Sequence, residues 1–135
     1  MKDKQLELFD FEDEISLFGL IGEEFLPGEY YEIEYKSALE GFPKDLWKTY
    51  SAFANTNTGF IILGVSEKKG IIKVEGLTDD QIKRYKKLFW DNSNNPNTIS
   101  RNLLNNNDVK VILFEGEKLL AFRIPFASRT ERPVF

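Results

Sequence analysis

One stretch, SAFANTNTGFIILGVS at residues 51–66, constrains this chain more than any other. Phe60 to Val65 is an unbroken apolar run between turn residues, which is typical of a fully buried strand. The segment before it ends in Asn, Thr and Gly residues, which favour a turn. The sequence therefore predicts a helix, a tight polar turn and a central strand, with the other segments packed around this unit.

The turn from Asn55 to Gly59 has two interpretations. Its hydroxyl, amide and backbone N–H groups are suited to contact a phosphate, and Asn55 and Thr56 are then the candidate contacts. Alternatively, the turn is an ordinary helix C-terminus with Gly59 in the left-handed conformation. The chain has neither a GxxxxGK[ST] nor a GxGxxG pattern, so the sequence does not predict a nucleotide-phosphate loop.

The chain has no Cys and no His among its 135 residues. This excludes a disulfide scaffold, zinc ligation by Cys or His, a Cys nucleophile and a Ser-His-Asp triad. Any hydrolytic chemistry must therefore use carboxylates, Lys or a bound metal. No apolar run approaches the roughly 20 residues of a membrane span, and the acidic start is unlike a signal peptide. A single-domain cytoplasmic protein that does not bind membranes is expected.

Charge is distributed unevenly along the sequence. Residues 1–35 carry 2 basic and 11 acidic side chains, whereas residues 36–90 carry 10 basic and 6 acidic ones. The basic middle is compatible with a nucleic-acid-binding surface despite the net charge of -4. Residues 1–28 are predicted to form an acidic N-terminal arm, which is solvated, packs on its own domain or a neighbouring chain, or competes electrostatically for a basic groove.

Residues 30–38 alternate apolar and charged side chains, the period-2 pattern of a half-buried strand. Glu34 and Lys36 lie two residues apart on the charged face. There they pair with each other, present a carboxylate and an ammonium to a substrate, or are simply solvated. Glu67 comes just past the central strand, at the start of a hairpin connection to residues 71–74.

Two predicted helices carry basic side chains outward. The first starts at Phe42-Pro43, since Pro suits a first turn, and places Lys44 and Lys48 one turn apart on its outer face. The second follows a capping box at residues 78–81 and extends from about residue 79 to 90. Its inward residues are Ile82, Tyr85, Leu88 and Phe89. Its outward residues are Lys83, Arg84, Lys86 and Lys87, which either contact phosphates or form a solvated face.

The rest of the chain predicts loops and a second hairpin. Residues 91–107 hold 8 of the 10 Asn residues and are predicted to be mostly loop, with one short helix at 96–104 that turns Ile99 and Leu103 inward. Residues 109–114 and 119–124 form a hairpin. The apolar ending at residues 132–135 suggests a further partial strand in a trimmed chain. Hairpins without regular βαβ alternation predict an α+β fold, with a mixed, mainly antiparallel sheet and helices packed on one side.

Three motifs together resemble a known family. They are EYKS at residues 34–37, PKDLW at 43–47, and SAFANT at 51–56 followed by Gly59 and IILGV at 61–65. Over about Glu29 to Phe135 the chain resembles the Schlafen-type Alba-like domain. The resemblance implies nucleic-acid binding, with DNA ahead of RNA, within a bacterial transcriptional regulator.

The resemblance also implies an alternative, a metal-dependent nuclease acting on RNA or single-stranded DNA. In Schlafen proteins three acids serve this reaction, and by position they fall on Glu29, Glu34 and Glu67, with Glu29 and Glu34 as ligands of Mg²⁺ or Mn²⁺. This sequence departs from the family pattern at Thr58-Gly59 and at residues 66–69, where an Asp-rich turn is usual.

The leading prediction is a nucleic-acid-binding module that needs no cofactor. Its predicted contacts are Lys36, Lys44, Lys48, Asn55, Thr56, Lys83, Arg84, Lys86 and Lys87. Besides the nuclease, a third hypothesis is a protein-interaction or dimerisation module, in which the acidic arm packs on a partner chain in a homodimer.

Overall fold

The computed structural model describes residues 32–56, 58–114 and 116–135. The predicted acidic arm and Glu29 lie outside these residues. In chain order the elements are β1 (Glu32–Lys36), α1 (Leu46–Thr56), β2 (Gly59–Leu63), β3 (Val65–Lys68), β4 (Ile71–Val74), α2 (Asp79–Ser93), a short 3-10 helix (Asn106–Asp108), β5 (Val109–Phe114) and β6 (Glu117–Ile124). Neither described helix is both long and apolar enough to span a membrane.

Four strands form the main sheet in the order β1-β2-β6-β5. β1 is parallel to β2, whereas β6 is antiparallel to both of its neighbours, β2 and β5. β3 and β4 form a separate antiparallel hairpin. The predicted α+β class, with a mixed and mainly antiparallel sheet, is confirmed.

Both helices pack on the same face of the main sheet. Because side chains alternate between the faces of a strand, Ile61 of β2 and Phe122 of β6 lie on this face, and both are fully buried. The ring of Phe89 in α2 lies 4.4 Å from that of Phe122, between centroids, and stacks on Trp47 of α1 at 5.2 Å. These aromatic contacts fix α2 against α1 and the sheet.

The predicted unbroken strand is divided at Gly64. Gly64 has a φ of 101°, a left-handed conformation that favours glycine. Its N–H donates to the Lys36 carbonyl at 3.0 Å, and its own carbonyl accepts from the N–H groups of Glu75 and Gly76 at 2.8 and 3.0 Å. Val65 therefore leaves the main sheet and begins the β3–β4 hairpin.

Gly59 is not in the left-handed conformation, so that prediction is wrong. It is the first residue of β2, paired with Glu32 and Ile124. A Cβ atom at this position would lie 2.6 Å from the ring of Phe53 in α1. Glycine is required here because α1 approaches the start of β2 closely.

The predicted ends of the helices are partly confirmed. α2 begins after the predicted capping box but continues to Ser93, and it leaves Leu88 37% exposed, so the prediction that Leu88 faces inward is wrong. α1 begins at Leu46, not at Pro43, because Pro43 opens a turn whose carbonyl accepts the Leu46 N–H at 3.3 Å.

Two predictions after α2 are wrong. Residues 96–104 form a turn and an irregular segment in place of a helix, because Asn side chains bind the backbone there; Asn102 Oδ1, for example, accepts the Leu104 N–H at 3.2 Å. Ile99 is nevertheless buried, as predicted. The described residues after β6 contain no strand, although Val134 is buried.

Candidate nucleic-acid interface

The outward side of α2 carries the four basic residues that the sequence singles out. The helix start is fixed by reciprocal bonds, in which the Gln81 N–H donates to Thr78 Oγ1 at 3.1 Å and the Thr78 N–H donates to Gln81 Oε1 at 2.8 Å. The helix buries Ile82, Tyr85 and Phe89. Away from this buried side, the side chains of Lys83, Arg84 and Lys87 are exposed. The side chain of Lys86 is half-buried.

Carboxylates on α2 pair with only part of this positive charge. Lys87 Nζ lies 2.7 Å from Asp91 Oδ2, and Asp79 pairs with Lys118 of β6. The guanidinium carbon of Arg84 lies 5.5 Å from the centre of the Tyr85 ring. Within the described part of the chain, Lys83, Arg84 and Lys86 form no ion pair. These three cations are therefore available to an anionic ligand.

Lys36 has different surroundings from the α2 residues. Its Nζ lies 2.9 Å from Asp45 Oδ2 and 3.9 Å from Glu34 Oε2, and its side chain is only 11% exposed. Two carboxylates thus already compensate this ammonium, and the predicted Glu34 pairing is present. Lys44, in the turn before α1, and Lys48, on α1, are both exposed.

The structure places Glu34 and Glu67 in different sheets. Glu34 lies on β1, at the edge of the main sheet, and Glu67 lies on β3 of the hairpin. Glu29 is outside the described residues. Among the residues that are described, no group of three or more acidic side chains is placed to hold a metal ion. The three-acid site, which includes Glu29, therefore stays a prediction.

Asn55 and Thr56 bond to the backbone of this domain. Asn55 Nδ2 donates to the Val134 carbonyl at 2.7 Å, and Asn55 Oδ1 accepts the Val134 N–H at 2.8 Å. The Thr56 hydroxyl donates to the carbonyl of Ala52, one turn earlier in α1. Sequence reasoning missed this role, because nothing in the local pattern indicates that the end of the chain returns to α1.

Comparison with known proteins is consistent with this fold. The family model described as Schlafen, AlbA_2 matches residues 29–133. The chain belongs to this family. The AlbA_2 domain also shares its fold with the N-terminal domain, solved by solution NMR, of a Nitrosomonas europaea protein described as related to the ATP-dependent DNA helicase RecG. The TM-score is 0.61 and the identity 24%, over 76% of this chain and 68% of the other. No curated protein matches the chain.

A second basic surface of the AlbA_2 domain was not predicted from the sequence. A cleft of about 990 Å³ lies between the loop at residues 37–44 and the β3–β4 hairpin, and we call it the lysine groove. Lys44 lines it from the loop, and Lys68, Lys69 and Lys73 line it from the hairpin. The Lys-Lys-Gly sequence at residues 68–70 is typical of a solvated turn. Only the positions of Lys68 and Lys73, on the two paired strands of the hairpin, could have indicated this surface.

A buried ion pair joins Arg123 to Asp108, and neither residue belongs to α2 or lines the lysine groove. Arg123 Nη1 donates to Asp108 Oδ1 at 3.1 Å, and each side chain is about one tenth exposed, at 10% and 9%. Burial raises the pKa of the Asp108 carboxyl and lowers that of the Arg123 guanidinium, because loss of water disfavours both charges. Asp108 Oδ2 also accepts the Asn105 N–H at 2.9 Å. The pair therefore joins β6 to the 3-10 helix, a structural role.

Proposed function

We propose that this AlbA_2 domain binds nucleic acid and that the outward side of α2 contacts its phosphates. One observation supports this most directly: Lys83, Arg84 and Lys86 project from one side of a helix without a carboxylate partner among the described residues. The opposite side of the helix packs in the aromatic core around Phe89. The positive charges are thus presented by a firmly packed element.

Physical chemistry and family membership point the same way. Lys and Arg side chains release counterions when they neutralise phosphates, and this term supplies most of non-specific nucleic-acid affinity. The net charge of -4 does not oppose binding, because the local charge of the contacting surface governs the encounter. The RecG-related relative is described by reference to a DNA helicase, so DNA is the first ligand to test. A role within a transcriptional regulator and a homodimer stay predictions.

The test is a fluorescence-anisotropy titration of labelled duplex DNA, single-stranded DNA and RNA at two salt concentrations. Replacing Lys83, Arg84, Lys86 and Lys87 together by Ala is expected to weaken binding. It should also reduce the slope of log affinity against log salt, by about 0.9 for each duplex phosphate that the variant no longer neutralises.

A charge-matched comparison controls for the general loss of positive charge. The variant Lys83→Ala/Arg84→Ala removes two charges from α2, and Arg101→Ala/Arg129→Ala removes two exposed charges from loops outside it. Only the α2 pair is expected to weaken binding. The proposed interface would be overturned if the two double variants bound with equal affinity and the quadruple α2 variant bound as tightly as the unmodified protein.

The same titrations examine the nuclease hypothesis. Including Mn²⁺ and then separating the oligonucleotides on a gel shows whether they remain intact. Cleavage that is lost in Glu34→Gln would assign the carboxylate a catalytic role, whereas cleavage that persists in this variant would indicate a contaminant.

A further inference from the structure

We propose that the lysine groove holds single-stranded nucleic acid, with phosphates on its lysines and bases against its apolar residues. This inference rests on the proposed function, since it assigns a second surface and a ligand class to a nucleic-acid-binding domain. The groove is distinct from α2: it lies between the 37–44 loop and the β3–β4 hairpin, and none of its lining residues belongs to α2.

Strand register explains why the hairpin presents lysines to the groove. Ser66 pairs with Lys73 and Lys68 pairs with Ile71, so these four residues share one face of the hairpin, and all four line the groove. Glu67 is on the opposite face by alternation and does not line the groove. The hairpin thus directs its cations to the groove and its acid away from it.

The charge of the groove favours an anionic ligand. Its lining contains four lysines, Lys44, Lys68, Lys69 and Lys73, against two acids, Glu40 and Glu75. The Ser37 hydroxyl lies 2.9 and 3.1 Å from the two carboxylate oxygens of Glu75 and holds this acid in place. Lys44 on the loop and Lys68 and Lys69 on the hairpin can therefore neutralise a phosphate backbone that passes between the two walls.

The exposed apolar side chains of the groove favour a single strand over a duplex as its ligand. Leu39 is 65% exposed and Ile71 is 53% exposed, and both line the groove together with Phe42. A duplex stacks its bases internally and presents mainly phosphates to a protein, whereas a single strand can place its base faces on apolar and aromatic side chains. A groove that is lined by both lysines and exposed apolar side chains therefore matches a single strand better than a duplex.

The size and the two-walled lining of the groove leave room for a segment of a nucleic-acid strand. Its volume of about 990 Å³ is large, at the upper end of the roughly 300–1,000 Å³ of small-molecule clefts. Its two walls come from separate segments of the chain, the loop after β1 and the hairpin. The proposed strand would lie between these two walls, with the loop on one side and the hairpin on the other.

The experiment compares single-stranded oligothymidylate with duplex DNA, using variants with matched controls. Lys44→Ala/Lys68→Ala removes one exposed charge from each wall. It is expected to reduce single-strand affinity at least about tenfold and to lower the salt slope by about 0.7 for each phosphate that is no longer neutralised. Duplex binding is expected to change little. Ile71→Ser tests the apolar contribution without changing charge, and Leu113→Ser is its control, because Leu113 is 55% exposed on β5 outside the groove.

The outcomes separate this inference from the proposed function. Selective loss of single-strand binding in Lys44→Ala/Lys68→Ala and Ile71→Ser supports the groove. Unchanged single-strand binding in both, together with weaker binding by the α2 variants, overturns the groove and leaves the proposed function standing. No binding of any oligonucleotide by the unmodified protein overturns both. Displacement of the oligonucleotide by polyglutamate at equal charge concentration also overturns the inference. It would show that the groove binds any polyanion and does not recognise the bases of a nucleic acid.

Discussion

Asn55, near the end of α1, and Val134, near the end of the chain, exchange two hydrogen bonds of 2.7 and 2.8 Å. The side-chain amide offers one donor and one acceptor to the Val134 backbone, as a neighbouring strand would. The Ala127 N–H donates to the Ala54 carbonyl at 2.8 Å, so α1 binds the C-terminal segment at a second point. Val134 is 1% exposed and packs in the same cluster as α1.

Asn55→Ala is expected to destabilise the domain by about 1–3 kcal/mol, because both polar groups of the Val134 backbone lose their partner. Urea unfolding followed by tryptophan fluorescence measures this free energy. Asn106→Ala, an exposed Asn in the 3-10 helix, is the control and should have little effect. If the folded Asn55→Ala protein also loses nucleic-acid affinity, the amide has a binding role beyond the structural one.

Tyr50 connects α1 to the Asn-rich segment through its hydroxyl. The hydroxyl donates to the Arg101 carbonyl at 3.0 Å and accepts the Leu103 N–H at 2.8 Å. Burial raises the pKa of Tyr50 to about 12. Because the pKa of an unfolded Tyr is about 10, the contribution of this group to stability is full below pH 10. It is lost as the pH rises from about 10 to about 12, at roughly 1.4 kcal/mol per pH unit.

Unfolding free energies measured between about pH 9 and 12 check this prediction for Tyr50. Tyr50→Phe should remove the alkaline slope and cost about 1–3 kcal/mol at neutral pH, because the Arg101 and Leu103 backbone groups lose their partner. Tyr85→Phe is the comparison, since the Tyr85 hydroxyl donates only to the Ala38 carbonyl in the described structure, at 3.2 Å. An unchanged slope in Tyr50→Phe would show that another group causes it.

Local sequence patterns predicted those parts of the fold that local interactions determine. The capping box predicted the start of α2 correctly, because its two residues, Thr78 and Gln81, are only three positions apart in the sequence. The break at Gly64 could not be predicted, because it depends on bonds to Lys36 and Glu75, which are distant in sequence. At residues 96–104 a distant partner also contributes, because the Tyr50 hydroxyl accepts the Leu103 N–H, and a local bond from the Leu104 N–H to Asn102 competes with helical bonding as well.

Gly59→Ala tests the close approach of α1 to β2. Its Cβ atom would lie 2.6 Å from the ring of Phe53, which is only 6% exposed and has little room to move. Because overpacking a core forces shifts of this kind, the variant is expected to lose about 1–3 kcal/mol of stability. Adding Phe53→Leu should recover part of this loss in a double-mutant cycle. Strictly additive effects would contradict a direct clash between these two positions.

The candidate site was predictable only where it lies on one element. Lys83 and Arg84 were identified because helical periodicity separates them from the buried Ile82 and Tyr85. The lysine groove was not identified, since Lys44 lies on the loop after β1 and its partners lie on a hairpin more than 20 residues later. Such a surface exists only after the break at Gly64 has placed the hairpin beside that loop.

The ion pair between Lys87 and Asp91 gives the last prediction, a gain of affinity. The pair is separated by 2.7 Å, but the side chains are 77% and 61% exposed, so it should contribute little to stability. Asp91→Asn releases Lys87 and removes a negative charge from α2, and it is expected to strengthen duplex DNA binding and steepen its salt dependence. Asp80→Asn removes the same charge from the first turn of α2 and should have a smaller effect. The double variant Asp91→Asn/Lys87→Ala should lose the gain; if it keeps the gain, Lys87 does not contact the phosphates.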